Sequence, residues 1–205
     1  MPLQLYNTMG RSMQNFTPRT PGKVGFYGCG PTVYNYAHIG NLRAFVFQDT
    51  LSRTLQFLGY DVTHVMNVTD IGHLTDDADD GEDKMVSTAR ERGQSVLEIA
   101  EFYTKAFFDD IDRLNIRRPT VMCKATDHID QMIALISRIE KNGHTYMSGG
   151  NLYFDISTFP EYGALANLNM DDLKAGTRVD IDENKRNPYD FVLWFTKSKF
   201  ENQAL

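Results

Sequence analysis

Residues 24–68 restrict the possible folds more than any other stretch. Val24-Gly-Phe-Tyr-Gly-Cys-Gly30 reads as a strand that ends in glycines. Leu42, Phe45, Val46, Leu51, Leu55 and Leu58 then recur at helical spacing, with Gly59 closing the helix. Asp61 to Val68 reads as a second strand. Strand, glycine-rich bend, helix and strand form one βαβ unit, most simply parallel and right-handed. Units of this kind hold ligands at the carboxyl ends of their strands.

The same alternation continues. An extended lead-in (Leu3 to Tyr6, then Met13 to Phe16) and a turn at Pro18 to Gly22 precede the unit. After it, Ser95-Val-Leu-Glu98 fits a capping box for a long helix. Leu97, Ala100, Phe107, Ile111 and Leu114 are expected on its inner face, and Pro119 stops it. Thr120 to Ala125 reads as a third strand. Asp127 is expected to cap a helix carrying Ile129, Met132, Ile133, Ile136 and Ile139, ended by Asn142-Gly143. Thr145 to Met147 and Leu152 to Ile156 then form a hairpin around Gly149-Gly150. Polar, irregular sequence runs to Pro188, and Asp190 to Phe195 reads as one more strand.

The expected class is α/β: the first half of a doubly wound, parallel, Rossmann-like nucleotide-binding sheet with an inserted α+β connective segment. Residues 1–142 carry the half sheet and residues 143–190 the insertion. Residues 191–205 begin a second half that is cut short, with no closing helix.

Composition narrows the class. At 205 residues, 41% hydrophobic and 12% aromatic, disorder is excluded as the overall state. No apolar run approaches membrane-spanning length, so no membrane role is expected, and the N-terminus lacks a secretory layout. Two cysteines make no disulfide framework, which points to the cytoplasm. The net charge of −6 is local, because six acids and no base lie between Thr75 and Asp83. That stretch fails as a calcium loop, with Ala78 and Ser87 where ligands belong, and is expected to be a mobile, solvated loop. The basic residues Arg113, Arg117, Arg118, Lys124, Lys185, Arg186, Lys197 and Lys199 either face phosphates or are solvated surface charge.

The densest chemical signal is Tyr27-Gly-Cys-Gly-Pro-Thr-Val-Tyr-Asn-Tyr-Ala-His-Ile-Gly-Asn-Leu-Arg43. Free amides at a helix start attract phosphate oxygens. His38 and Asn41 can donate to phosphates as charge builds in a transition state, and Gly40 lets a base or ribose approach the backbone. The competing reading is a tight turn with a capping histidine. Cys29, at a strand's carboxyl end, is open between buried residue, nucleophile and metal ligand. Thr69 and Asp70 alone read as a strand-end turn or helix cap.

These residues resemble the cysteinyl-tRNA synthetases, a family of class I aminoacyl-tRNA synthetases. The resemblance runs in order through Cys-Gly-Pro-Thr-Val-Tyr at residues 29–34, His-Ile-Gly-Asn at 38–41 and Asn-Val-Thr-Asp-Ile at 67–71. It continues through Ala-Thr-Asp-His-Ile at 125–129, Leu-Tyr-Phe-Asp at 152–155, Tyr-Gly-Ala-Leu at 162–165 and Asp-Phe-Val-Leu-Trp at 190–194. It implies an ATP-binding region of Pro31, Thr32, His38, Ile39, Gly40 and Asn41, with His38 and Asn41 catalytic. Asn41 stands where other class I enzymes often carry histidine. It implies Gly30, Thr69 and Asp70 at the cysteine substrate.

The resemblance also makes Cys29 one of four zinc ligands, the others lying beyond Leu205. The zinc would hold the substrate thiolate, which a serine hydroxyl replaces poorly. One zinc per full-length chain is implied, weak or absent in this one. Cys123, His64, His73, His128 and His144 match no ligand position, and Cys123 is expected as a packed thiol. The family's lysine signature, K-M-S-K-S, is missing, and Thr196-Lys-Ser-Lys199 is a superficial echo of it.

The implied activity is an ATP-dependent, AMP-forming cysteine–tRNA ligase of protein biosynthesis. Its partners are ATP with Mg²⁺, L-cysteine and tRNA(Cys), and the enzyme is a cytoplasmic monomer. This chain alone is expected to be inactive. The rival enzyme is a paralogous ligase joining activated cysteine to an amino sugar, and the non-catalytic rival is a truncated interaction module. A tRNA-charging assay and the reading frame past Leu205 separate them.

Overall fold

The structure is a computed structural model that describes residues 3–72, 93, 95–168 and 183–196. The acidic stretch from Thr75 to Asp83, His73, Lys197 and Lys199 lie outside the described residues. Strands β1 (Gln4–Asn7) and β2 (Ser12–Asn15) pair antiparallel as a hairpin. β3 (Lys23–Gly28), β4 (Asp61–Val68) and β5 (Val121–Lys124) form a parallel sheet in chain order. Helix α1 (Ile39–Phe57) joins β3 to β4, and α2 (Val96–Arg113) stands between β4 and β5.

Both helices cover the same face of this sheet. Phe45 of α1, Met66 of β4 and Phe107, Phe108 and Ile111 of α2 share one cluster. Strand periodicity explains the division: Val62, His64, Met66 and Val68 are buried, and the residues between them turn to the other face. The result is an α/β half sheet whose other face carries the half-buried Val65 and Asn67.

The expected helical stripes hold in part: Ala100, Phe107 and Ile111 of α2 and Phe45 and Leu55 of α1 are buried, and the rest need correction. In α2 the capping box of Ser95 and Glu98 forms as read, and the Ser95 amide and hydroxyl hold the Glu98 carboxyl below its usual range. Its buried face is Ile99, Ala100, Tyr103, Thr104, Phe107, Phe108 and Ile111, while Leu97 and Leu114 are exposed. In α1, Val46 and Leu58 are exposed, and the polar Gln48 and Ser52 take places in the buried stripe. The correction has one cause in both helices: end positions and one-residue offsets fall outside the arc that a flat sheet can cover.

A 3-10 turn (Thr126–His128) leads into α3 (Ile129–Lys141). Asp127 lies inside that turn and does not cap the helix, whose cap position, His128, makes no side-chain bond. α3 has no buried residue, and Met132 and Ile133 of its expected stripe are exposed. β6 (Thr145–Ser148), β7 (Asn151–Phe154) and β8 (Phe191–Trp194) form an antiparallel sheet. The β7–β8 pairing crosses the boundary set at residue 190. Asp190 organises this sheet. Its buried carboxylate accepts from Tyr146 Oη at 2.7 Å, the Ile156 amide at 3.0 Å and the Asn187 amide at 2.9 Å. Among the described residues no helix is long and apolar enough to cross a membrane.

Candidate functional site

The strand-to-helix segment after β3 does not leave the sheet freely. Thr69 N–H donates to the Pro31 carbonyl at 2.9 Å, and Val33 N–H donates to the Thr69 carbonyl at 3.1 Å. These bonds extend the β3–β4 pairing past the strands. Val33, at 1% exposure, anchors the segment in a cluster with Val68, Ile99, Ala100 and Tyr103. Gly30 is required here, because a Cβ would overlap the Asn67 carbonyl oxygen.

The first turn of α1 is a reciprocal cap. His38 Nδ1 accepts from the Gly40 amide at 3.0 Å, and Asn41 Oδ1 accepts from the His38 amide at 3.1 Å. The chemical consequence lies in what remains. With Nδ1 accepting, the ring's N–H is at Nε2, and Asn41 keeps its Nδ2 hydrogens free. A Cβ at residue 40 would also press on His38 Cε1 at 2.8 Å, so glycine makes room for the capping ring. No acid stands in the first turn of this helix, which leaves its positive end uncompensated. The capping histidine and the phosphate-facing histidine are therefore compatible readings of one side chain.

A cavity of about 350 Å³ opens beside this turn. Cys29, Gly30, Pro31, Thr32, His38 and Asn41 all line it, together with Tyr34, Tyr36, Tyr103 and Phe107. Tyr36 meets Tyr103 edge to face at 5.1 Å, giving the cavity a fixed aromatic wall. Ile39 and Gly40 do not line it, and Ile39 is exposed. Sequence reading missed the tyrosines and Phe107. The tyrosines of the turn were within the quoted motif, but only the fold shows that they face Tyr103 of α2.

Of the residues expected at the cysteine substrate, Gly30 and Thr69 are joined through Asn67, whose Oδ1 accepts from the Gly30 amide at 2.9 Å and whose Nδ2 donates to Thr69 Oγ1 at 3.1 Å. Gly30 lines the first cavity, while Thr69 lines a second one of about 650 Å³, whose walls include Asn67 of the sheet, Ile129 and Met132 of α3 and Val192 and Trp194 of β8. Asp70 lines neither. It is 4% exposed, and its carboxylate accepts from the Thr126 amide at 3.0 Å and the Thr126 hydroxyl at 2.6 Å. Its visible work is to tie the end of β4 to the turn after β5.

Cys29 carries an exposed free thiol, and Cys123 a partly buried one on β5, in register beside Asn67. Both raise the Tyr27 hydroxyl above its usual range, after the larger effect of its desolvation. Among the described residues no three His, Cys, Asp or Glu side chains converge. A zinc site needs at least three protein ligands, and among the described residues Cys29 has no such partners, so these residues alone do not make one.

Four of the basic residues have local partners. Arg118 pairs with Asp112 at 2.6 Å, Arg113 with Asp110 at 3.5 Å, and Arg117 bonds Gln56. Arg186 lies 4.2 Å over the Tyr146 ring and 3.5 Å from Asp155.

Known proteins resemble this chain along its whole length. The family model for the class I (C) tRNA synthetase catalytic domain matches residues 15–204. A cysteine–tRNA ligase of Treponema denticola is 73% identical over 205 residues, which is all of this chain and 42% of that protein. Cysteine–tRNA ligases of Treponema pallidum (52% over 210 residues, 40% of that protein) and Borreliella burgdorferi (53% over 206 residues, 42%) also match. Two solved structures share the fold. Mycobacterium tuberculosis methionyl-tRNA synthetase, in complex with methionyl-adenylate, matches at TM-score 0.52 and 16% identity, covering 66% of this chain and 33% of that one. LeuRS of Agrobacterium radiobacter, in a ternary complex with tRNA and LeuAMS, matches at TM-score 0.50 and 20% identity, covering 63% and 16%. The chain thus spans about two fifths of the length of the curated relatives it matches.

Proposed function

The chain belongs to the family of class I (C) tRNA synthetase catalytic domains, and from that premise we propose that its protein is an ATP-dependent cysteine–tRNA ligase working in translation in the cytoplasm. The observation that carries the reading is 73% identity, sustained over every residue, to a cysteine–tRNA ligase. The activity is proposed for the whole protein, of which the relatives have more than twice this length.

In this reading the cavity beside α1 takes ATP. A carboxylate oxygen of cysteine attacks the α-phosphorus, the new O–P bond forms, and the bond to the bridging oxygen breaks. Pyrophosphate leaves with the electron pair, and cysteinyl adenylate remains. The terminal hydroxyl of tRNA(Cys) then takes the acyl group and AMP departs. His38 Nε2–H and Asn41 Nδ2–H are the donors aimed at the phosphates, held ready by the cap that occupies their other atoms. Mg²⁺ accompanies ATP as its counter-ion. The tyrosine wall gives the nucleotide a stacking surface. No protein nucleophile takes part, so the rate comes from positioning and charge stabilisation.

Cysteine-dependent exchange of labelled pyrophosphate into ATP by the full-length protein tests this. Exchange with cysteine and far less with serine is expected. No exchange with any amino acid would sink the proposal, and cysteine activation without transfer to tRNA would redirect it to another acceptor.

A further inference from the structure

The peptide between Cys29 and Gly30 is held at both of its polar atoms. Its carbonyl accepts from Gln48 Nε2 at 2.9 Å, and its N–H donates to Asn67 Oδ1 at 2.9 Å. The two amides come from different elements, Gln48 from α1 and Asn67 from β4. They also approach from opposite sides of the sheet. Gln48 lies in the buried stripe of α1, whereas Asn67 alternates with the inward Met66 and Val68.

Gln48 is unusual in its place. At 9% exposure it sits in the stripe of Phe45 and Leu55, where an apolar side chain would pack without polar cost. Its Oε1 has no hydrogen-bond partner among the described residues. An amide buried with one end unmet is destabilising, so a gain elsewhere must offset it. Its other end, Nε2, donates to the Cys29 carbonyl. Asn67 is engaged at both ends: Oδ1 also accepts from Tyr27 Oη at 2.8 Å, and Nδ2 donates to Thr69 Oγ1 at 3.1 Å. The Asn67 carbonyl fills the space a Cβ at Gly30 would need, which removes the remaining slack.

We propose that Gln48 and Asn67 are positioning residues: together they lock the Cys29–Gly30 peptide and so fix the direction in which the Cys29 thiol faces the cavity lined by His38 and Asn41. The inference rests on the proposed role of that cavity in cysteine activation. Neither side chain lines it. Their effect passes through the backbone, where misplacement of about 1 Å costs about a hundredfold in rate.

The test uses the 205-residue chain with Cys123→Ser, which leaves Cys29 as the single thiol of these residues. Two quantities are measured: hydrogen exchange of the Gly30 amide, and the rate of Cys29 with an aromatic disulfide reagent. Gln48→Met and Asn67→Ala are each expected to speed Gly30 exchange about tenfold, the worth of one net hydrogen bond, with the Val24 and His64 amides unchanged. The thiol rate should change at least about threefold in the same variants, as expected when part of one bond's worth is lost. Asn67→Asp keeps the acceptor and should restore Gly30 protection. The proposal is overturned if Gly30 exchange stays unchanged, or rises in step with Val24 and His64. An unaltered thiol rate, or Asn67→Asp behaving like Asn67→Ala, overturns it equally. Neither measurement needs substrate, so failure of the clamp and failure of the ligase reading are separately visible.

Discussion

At residue scale, His38 does two jobs that one substitution can separate. Serine is as good a helix cap, but it lacks the outward Nε2–H. His38→Ser should therefore keep the melting temperature of the parent, yet lower adenylation in the full-length protein about a hundredfold, chiefly in kcat. A change confined to the KM for ATP would make the residue a ground-state binder. His64 offers a second test. Desolvation lowers its pKa below the ordinary 6.5, with Asp49 opposing in part. The unfolded chain then binds the proton more readily, so His64 contributes stability in full above that value, and the contribution is lost as pH falls below it. Melting temperature should drop between about pH 7.5 and about pH 5.5, and drop less in His64→Gln. Equal drops in both proteins would contradict this. Cys29, His38 and Asn41 line one cavity, and their proximity is legible in the sequence because they belong to one contiguous strand–turn–helix. The bonds of Asp70 are not legible in the sequence, because its partner Thr126 is remote in the chain and adjacent only through the β4–β5 pairing.

Among the elements, the antiparallel sheet depends on one buried carboxylate. Asp190→Ala would leave the Tyr146 hydroxyl and the Ile156 and Asn187 amides without their acceptor, a loss of about 3 kcal/mol. Trp194, the single tryptophan, lies on β8 and reports it by fluorescence. Tyr146→Phe removes one donor and should cost about 1 kcal/mol. An Asp190→Ala variant as stable as Tyr146→Phe would refute the hub. Desolvation first, then the Asp190 carboxylate and others, push the Tyr146 hydroxyl up to about 12. The unfolded tyrosine ionises nearer 10, so this stabilisation is present below that pH and is lost as pH rises through about 12. Helix existence was legible from periodicity, since each stripe repeats over several turns. Which face would be buried was less so: Leu97 and Leu114 are apolar but sit at the ends of α2, and Gln48 is polar but held inward by a backbone carbonyl. The stripe of α3 is legible as apolar, yet Met132 and Ile133 are exposed and Ile129, Ile136 and Ile139 only half-buried.

For the whole molecule, the alternation of strand and helix carried the α/β class, because βαβ units leave few topologies open. The pairing of β8 with β7 was beyond sequence reading, since a four-residue apolar run fits either sheet. The same holds for the second cavity, which gathers Thr69, Lys124 and Trp194 from three separate stretches. What joins the scales is the end of β3, where the cap of α1, the aromatic wall from α2 and the clamped Cys29 peptide meet. The most direct measurement of the central claim is the charging of tRNA(Cys) with labelled cysteine by the full-length protein. Cysteine and ATP together should yield cysteinyl-tRNA, released as free cysteine by mild base, and His38→Ser should slow its formation. Absence of charged tRNA from a folded, ATP-binding protein would contradict the claim.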